Sequence, residues 1–341
     1  MRLESARGLK QQLLEKIVQP FLASASRLST GDAMAVGARP FDTLPRIHRS
    51  VALGVAPHEG EYRLAVRIQR PSLVESPLME LLTRQARGEV DVRMIGRVDK
   101  RTKAAAIPWY RRNTRPLLIG ASVGHVAVTA GTIGAFVKRG AATYLLSNNH
   151  VLANEDLAKA GDRILQRATY DGGRQASERV ASLRFWIKLK KTGINVADAA
   201  IAEIDAGVRV DVSRLRGLVN GQDRKLVGLG PEFVDEKLAM FKVGRTTGPT
   251  EGRVTAFDVD NVIVNYDKGN LRFDNQIEIE GTGSRAFSDG GDSGSLIVNA
   301  RMEAAALLFA GGDSGGSNGL GLTYANPIRS VLKGLKATLL F

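Results

Sequence analysis

At 341 residues the chain is long for one structural unit, and its 43% hydrophobic and 24% charged residues exclude a disordered or fibrous protein. The formal charge of +13 permits contact with acidic surfaces, but no nucleic-acid-binding motif accompanies it, so a basic soluble protein is the plainer reading. With no cysteine, with Glu4 and Glu15 interrupting the first residues, and with no run near eighteen apolar residues, the expectation is a cytoplasmic protein without signal peptide or membrane span.

Residues 5–24 carry Leu9, Leu13, Ile17 and Phe21 at four-residue spacing, beside Leu14, Val18 and Leu22. This predicts an amphipathic helix, kinked or ended by Pro20, that serves as a docked surface helix or an oligomer contact. Residues 50–56 and 62–69 read as strands, the second turning Tyr62, Leu64, Val66 and Ile68 inward as a half-buried strand does. A helix is expected over 77–87, with Ser76 as cap, Leu78, Leu81 and Leu82 on one face and Gly88 as its end, followed by a strand over 90–98. Together these make a small α+β module. From 93 to 115 the chain is basic, with Arg93, Arg97, Lys100, Arg101, Lys103, Arg111, Arg112 and Arg115 against Asp99, and with Trp109 and Tyr110 inside the run. A solvated linker is the simpler reading, and a docking site for an acidic partner the sharper one.

Beyond Arg115 short apolar runs alternate with glycine-rich turns, including GTIGAFVK, ATYLLSNN, KLAMFKVG, NVIVNY and AAALLFAG, a pattern of barrels or a sandwich. A last helix is expected after Asn326 as N-cap and Pro327, with Ile328, Val331, Leu332 and Leu335 buried. The expected organisation is an N-terminal helix over 1–28, the module and basic linker over 29–115, and a larger mainly β unit over 116–341.

A serine hydroxyl becomes a nucleophile at neutral pH only when an imidazole takes its proton and a carboxylate orients that imidazole. Backbone N–H groups of a glycine-rich turn can then hold the developing oxyanion. Of the four histidines, His48, His58 and His125 stand in polar or loop-like surroundings, whereas His150 ends an apolar strand in LSNNHVLA. Asp198 opens the apolar run DAAIAEI, where a charge needs a partner. GDSG occurs twice, at 291–294 and 312–315. The first is followed at once by the apolar run SLIV, which can anchor a nucleophile. The second runs into GGSNGLG and reads as a hairpin loop, so Ser293 is preferred to Ser314. VGRTTG at 243–248 lacks phosphate-loop spacing and reads as a turn.

LSNNHVLA, DAAIA and GGDSGSL, in the order His, Asp, Ser, resemble the trypsin-like serine peptidases of the chymotrypsin superfamily. GTIGAFV, the DGG at 171–173 and VGRTTGPTEGRV look like its cysteine-free bacterial branch, related to the plant narrow-leaf-type proteases. The resemblance spans about Arg115 to the C-terminus. It implies a mainly β, chymotrypsin-like double β-barrel and a serine endopeptidase acting through an acyl-enzyme. In that reading His150, Asp198 and Ser293 are the triad, and the N–H groups of Gly291 and Ser293 form the oxyanion hole. Protein or peptide is the substrate, and no cofactor or metal is called for. The sequence shows no IVGG-like activation site before the first barrel strand, so the site is expected to be preformed and Asp292 to need a partner other than a freed N-terminus. Phe287, six residues before the nucleophile, with Leu308, Phe309, Ala310 and Gly311, implies an apolar rather than basic P1 pocket. The competing reading is a latent or inactive protease-fold scaffold that binds a partner through its basic N-terminal third.

Overall fold

Apolar spacing draws the N-terminal segments onto a common core. The computed structural model describes residues 1–18, 51–69, 74, 77–95, 98–99, 107–174, 177–231 and 239–341. Helix α1 (Leu3–Leu13) passes into a π turn at Leu14–Val18, and Leu13 and Leu14 pack on β1 (Val51–His58) and β2 (Glu61–Ile68). Pro20, Phe21 and Leu22 lie outside the described residues, as does His48. Helix α2 (Pro77–Gln85) gives Met79 and Leu82 to the same cluster, and Gly88, at φ +79°, turns the chain into β3 (Val90–Met94), which pairs in parallel with β2.

Two features depart from the sequence expectation. Strand β2 is buried on both faces from Leu64 to Ile68, not half-buried. Its second face lies on the larger unit, where Arg67, fully buried, bonds both carboxylate oxygens of Glu278 through Nε at 2.7 Å and Asp91 Oδ2 through Nη2 at 2.8 Å. The basic stretch is also not a simple linker in its described part. Trp109–Arg111 form a 3₁₀ turn packed on the main core, and Arg111 is buried with Nε donating to the Arg245 carbonyl at 2.9 Å. Arg97, Lys100, Arg101 and Lys103 lie outside what is described, except that the backbone of β4 (Val98–Asp99) is placed.

The region from 117 onward builds two barrels, one a closed cycle and one a sheet that curls back on itself, and the fold class is mainly β with the two-barrel layout expected from the sequence. In the first, β5 (Ser122–His125), β9 (Arg163–Leu165), β10 (Arg179–Trp186), β11 (Ala200–Ile204), β8 (Ala142–Ser147) and β7 (Ala135–Arg139) pair in that spatial order. β6 (Gly131–Thr132), just before β7 in the chain, pairs back on β5, so the sheet returns on itself. In the second, β12 (Ala239–Gly244), β13 (Gly248–Asp260), β16 (Gln276–Gly281), β19 (Leu322–Pro327), β18 (Glu303–Gly312) and β17 (Leu296–Asn299) form a closed antiparallel cycle. A hairpin of β14 (Val262–Tyr266) and β15 (Gly269–Phe273) projects from it.

The N-terminal module is joined to this second barrel rather than set beside it. β1 pairs antiparallel with β13, Leu53 opposite Asp260 and Val55 opposite Phe257, and β4 bridges β18 and β14. These pairings link strands on either side of residue 115. Helix α4 (Ile328–Leu335) buries Ile328, Val331, Leu332 and Leu335 as its spacing predicts. Its N-cap is Pro327 without a side-chain cap, because Asn326 is engaged elsewhere, as described next.

Candidate active site

His150 sits in a single helical turn, α3 (Asn149–Leu152), immediately after β8. Its Nδ1 meets Asp198 Oδ2 in a short hydrogen bond. Asp198 is wholly buried, and its carboxylate also accepts from Asn149 N at 2.6 Å, His150 N at 3.2 Å and the Tyr266 hydroxyl at 2.7 Å. Burial alone would raise this carboxyl, but the neighbouring His150 and these donors outweigh it and hold Asp198 below the ordinary carboxylate range. Its backbone is fixed as well: Asp198 N donates to Asn326 Oδ1 at 2.9 Å, and Asn148 Nδ2 donates to the Asp198 carbonyl at 2.7 Å. Asn326 is thus a support of this carboxylate in place of the helix cap read from its sequence position.

Ser293 lies in a tight turn between Gly291 and Gly294, both at φ +90°, a backbone region that favours glycine. The turn docks on β6 of the first barrel. Thr132 N donates to the Ser293 carbonyl at 2.8 Å and Thr132 Oγ1 to the Gly291 carbonyl at 3.0 Å. Glycines permit this approach, since a Cβ on Gly131 would lie 2.4 Å from Val151 Cγ2 and 3.1 Å from the Ser293 carbonyl oxygen. The Ser293 carbonyl and Val151, the residue that follows His150, thus both lie against Gly131. Among the described residues no hydrogen bond joins Ser293 Oγ to His150, and the N–H groups of Gly291 and Ser293 make no backbone hydrogen bond.

Asp292, between them, is completely buried. It pairs with Lys242 Nζ at 3.1 Å and accepts from Thr246 N at 2.7 Å, Thr247 N at 3.1 Å, Thr247 Oγ1 at 2.7 Å and Asp289 N at 3.0 Å. Burial raises this carboxyl, and the Lys242 charge with these donors more than reverses it, leaving Asp292 below its ordinary range. Lys242 itself is pulled below the ordinary lysine range by burial, against the opposing pull of Asp292. The partner that the sequence left unnamed for Asp292 is a lysine on β12, whose local pattern marks it only as a strand residue.

The remaining predicted residues fall as follows. Ser314 is exposed in the loop between β18 and β19. Phe287 and Leu308 are buried in the second barrel's core with Val254 and Ile279, the Phe287 ring lying 5.6 Å from Lys242 Nζ. Phe309 and Ala310 belong to a neighbouring cluster with Phe273 and Tyr324, and Gly311 faces Asp99 of β4. VGRTTG is a turn whose Arg245 pairs through Nε with Asp171 Oδ2 at 2.8 Å, joining it to the DGG segment of the first barrel. His125 contacts Asp162 Oδ2 at 3.2 Å and His58 is partly exposed. Among the described residues no cluster of metal-ligating side chains occurs, and no helix is long and apolar enough to cross a membrane.

No protein-family model matches the chain, and no curated protein matches it in sequence. Solved structures do match. Protease A of Thermobifida fusca aligns at 17% identity with a TM-score of 0.46, covering 66% of this chain and 99% of that one. A glutamic acid-specific serine protease described as using a histidine triad in substrate binding aligns at 22% and 0.45, over 66% and 100%. Chymotrypsin of Cellulomonas bogoriensis aligns at 17% and 0.44, over 65% and 97%.

Proposed function

We propose that the chain is a serine endopeptidase in which His150 is the general base and then acid, Asp198 orients it, and Ser293 attacks the scissile carbonyl. The observation that carries this reading is the hydrogen bond between His150 Nδ1 and the buried Asp198 carboxylate. Nδ1 bound to a carboxylate leaves Nε2 free to take the serine proton, and the carboxylate stabilises the imidazolium that results. Oγ passes its proton to Nε2 as it bonds the carbonyl carbon, and the oxygen of the tetrahedral adduct takes up the negative charge. The Gly291 and Ser293 N–H groups, unused within the backbone, are the donors for that oxygen. Collapse expels the amine, which receives the proton from His150, and water repeats the sequence to free the acid. The Ser293–His150 hydrogen bond is the kind that closes on substrate binding.

The P1 side chain is proposed to be apolar, since Ala310 and Gly311 near the end of β18 are small and uncharged and Phe287 is a buried ring. The cytoplasm is proposed as its place of action because a cysteine-free chain needs no oxidising compartment. Basic residues of the 93–115 segment are proposed to meet an acidic partner. A fluorophosphonate probe tests the chemistry: wild type and Ser314→Ala are expected to be labelled and Ser293→Ala not, and labelling of Ser293→Ala sinks the assignment.

A further inference from the structure

Tyr266 ends β14, in the hairpin of the second barrel, yet its hydroxyl reaches a carboxylate of the first. It donates to Asp198 Oδ2 at 2.7 Å, the same oxygen that meets His150 Nδ1. The ring stands edge-on to the His150 imidazole, with centroids 5.9 Å apart at 75°. Behind it Phe273 stacks at 5.9 Å, and Phe309 backs Phe273 at 4.7 Å, so the phenol is buried against a row of rings. Burial, and then the charge of Asp198, keep its ionisation well above the ordinary tyrosine range, so it acts as a donor.

The hairpin is held in place by a costly turn. Directly after the His150 helix, Asn154, Glu155 and Asp156 all take positive φ (47°, 56° and 71°), a run that L-residues avoid. That bend presents two carboxylates to the hairpin tip. Glu155 accepts from Asp267 N at 3.2 Å and Lys268 N at 3.0 Å, and Asp156 takes Lys268 Nζ at 2.5 Å. A strained turn in one barrel thus clamps the hairpin of the other.

We propose that Tyr266 is a positioning residue for the histidine–aspartate pair, delivered across the barrel junction by the Glu155–Asp156 clamp. This rests on the peptidase reading. The hydroxyl fixes one lone pair of Oδ2, which leaves His150 a single approach to the other and limits rotation of the carboxylate. It also draws charge from Oδ2, which moderates how strongly Asp198 favours the imidazolium.

Tyr266→Phe keeps the ring and removes only the hydroxyl. With a peptide substrate, kcat is expected to fall roughly threefold to tenfold with KM unchanged, the scale of one ordinary net hydrogen bond. Because Asp198 then confronts His150 with more of its charge, the acid limb of the kcat/KM–pH profile moves to higher pH. NMR titration of ¹⁵N-histidine-labelled protein is expected to move the His150 ring the same way, a readout that needs no turnover. Lys268→Met leaves the hydroxyl and the backbone bonds to Glu155 in place but loosens the hairpin tip by removing the Asp156 pair, and gives the same displacement in smaller measure even if the phenylalanine variant fails to fold. His150 titrations that superimpose on wild type in both variants overturn the proposal. Absence of Ser293 labelling in wild type overturns the peptidase reading alone and leaves the titration to decide the role of Tyr266.

Discussion

Lys242→Met removes the charge that pairs with Asp292 at hydrogen-bond distance while keeping the apolar stem of the side chain. Both groups are wholly buried, with Nζ 3.1 Å from Asp292 Oδ2 and 2.6 Å from Thr247 Oγ1. Stripping one partner from a buried pair costs about 3–5 kcal/mol, because the other charge is left without compensation. Here Asp292 keeps donors from Thr246 N, Thr247 N, Thr247 Oγ1 and Asp289 N, which places the loss near the lower end, about 3 kcal/mol. The damage is local: the Asp292 carboxylate accepts from Asp289 N on one side and Thr246 N on the other, so the acid holds the turn that carries Ser293. Urea denaturation is expected to show that loss, and fluorophosphonate labelling to slow more than tenfold. The double variant Lys242→Met/Asp292→Asn, which removes both charges, is expected to return to within about 1 kcal/mol of wild type in stability. A single variant within about 0.5 kcal/mol of wild type and labelled at the same rate refutes the reasoning.

Two further outcomes follow from the same packing. A Cβ on Gly294 would lie 2.0 Å from Ser147 Oγ and 2.5 Å from the Thr132 carbonyl in an already left-handed conformation, so Gly294→Ala is expected to cost about 3 kcal/mol; Gly140→Ala, at φ +61° with open space around it, is expected to cost about 1 kcal/mol, and equal denaturation midpoints would contradict this. Asp198 and Asp292 are both held below the ordinary carboxylate range, so as pH falls through about 4 the unfolded chain binds their protons first and stability drops, with a limiting slope of about 2.7 kcal/mol per pH unit from the two groups; Asp292→Asn is expected to remove about half of that slope in urea titrations between pH 7 and 3, and an unchanged slope would count against the pair.

What the sequence made legible follows the local rules. Glycine-punctuated apolar runs announced a mainly β fold, and the four-residue spacing of Ile328, Leu332 and their neighbours announced the face that α4 buries. The companions of His150, Asp198 and Ser293 were less visible, because each is defined by a contact distant in the chain. Lys242 sits in the strand AMFKVG, where a lone lysine reads as a solvent-facing strand residue, and its carboxylate partner is fifty positions away. Tyr266 closes NVIVNY as any strand tyrosine would, and only the fold of the hairpin takes it to Asp198. Asn326 before Pro327 matches a helix N-cap so well that the local rule prevailed, whereas the structure uses its amide on Asp198 N and on Gln276 Oε1. Arg67 broke the half-buried reading of β2 for the same reason: a charge in an alternating strand looks exposed until a second sheet brings Glu278 over it.

These contacts share a geometry. Thr132 to the Ser293 turn, Arg245 to Asp171, Asn326 and Tyr266 to Asp198, and Lys268 to Asp156 all cross from one barrel to the other, and all are polar. An apolar interface of similar area would hold the barrels together but tolerate sliding, since burial is not directional. Hydrogen bonds and ion pairs of fixed length do not tolerate it, because a shift of an ångström leaves buried donors and acceptors unmet at about 1–3 kcal/mol each. The glycines of GTIG serve the same end by removing side chains where backbone must meet backbone, with a Cβ on Gly134 only 2.3 Å from the Gly294 carbonyl oxygen. Docking the barrels and arranging His150, Asp198 and the Ser293 turn are therefore one event, and a lesion at any of these crossings is felt both as lost stability and as a displaced Ser293 turn.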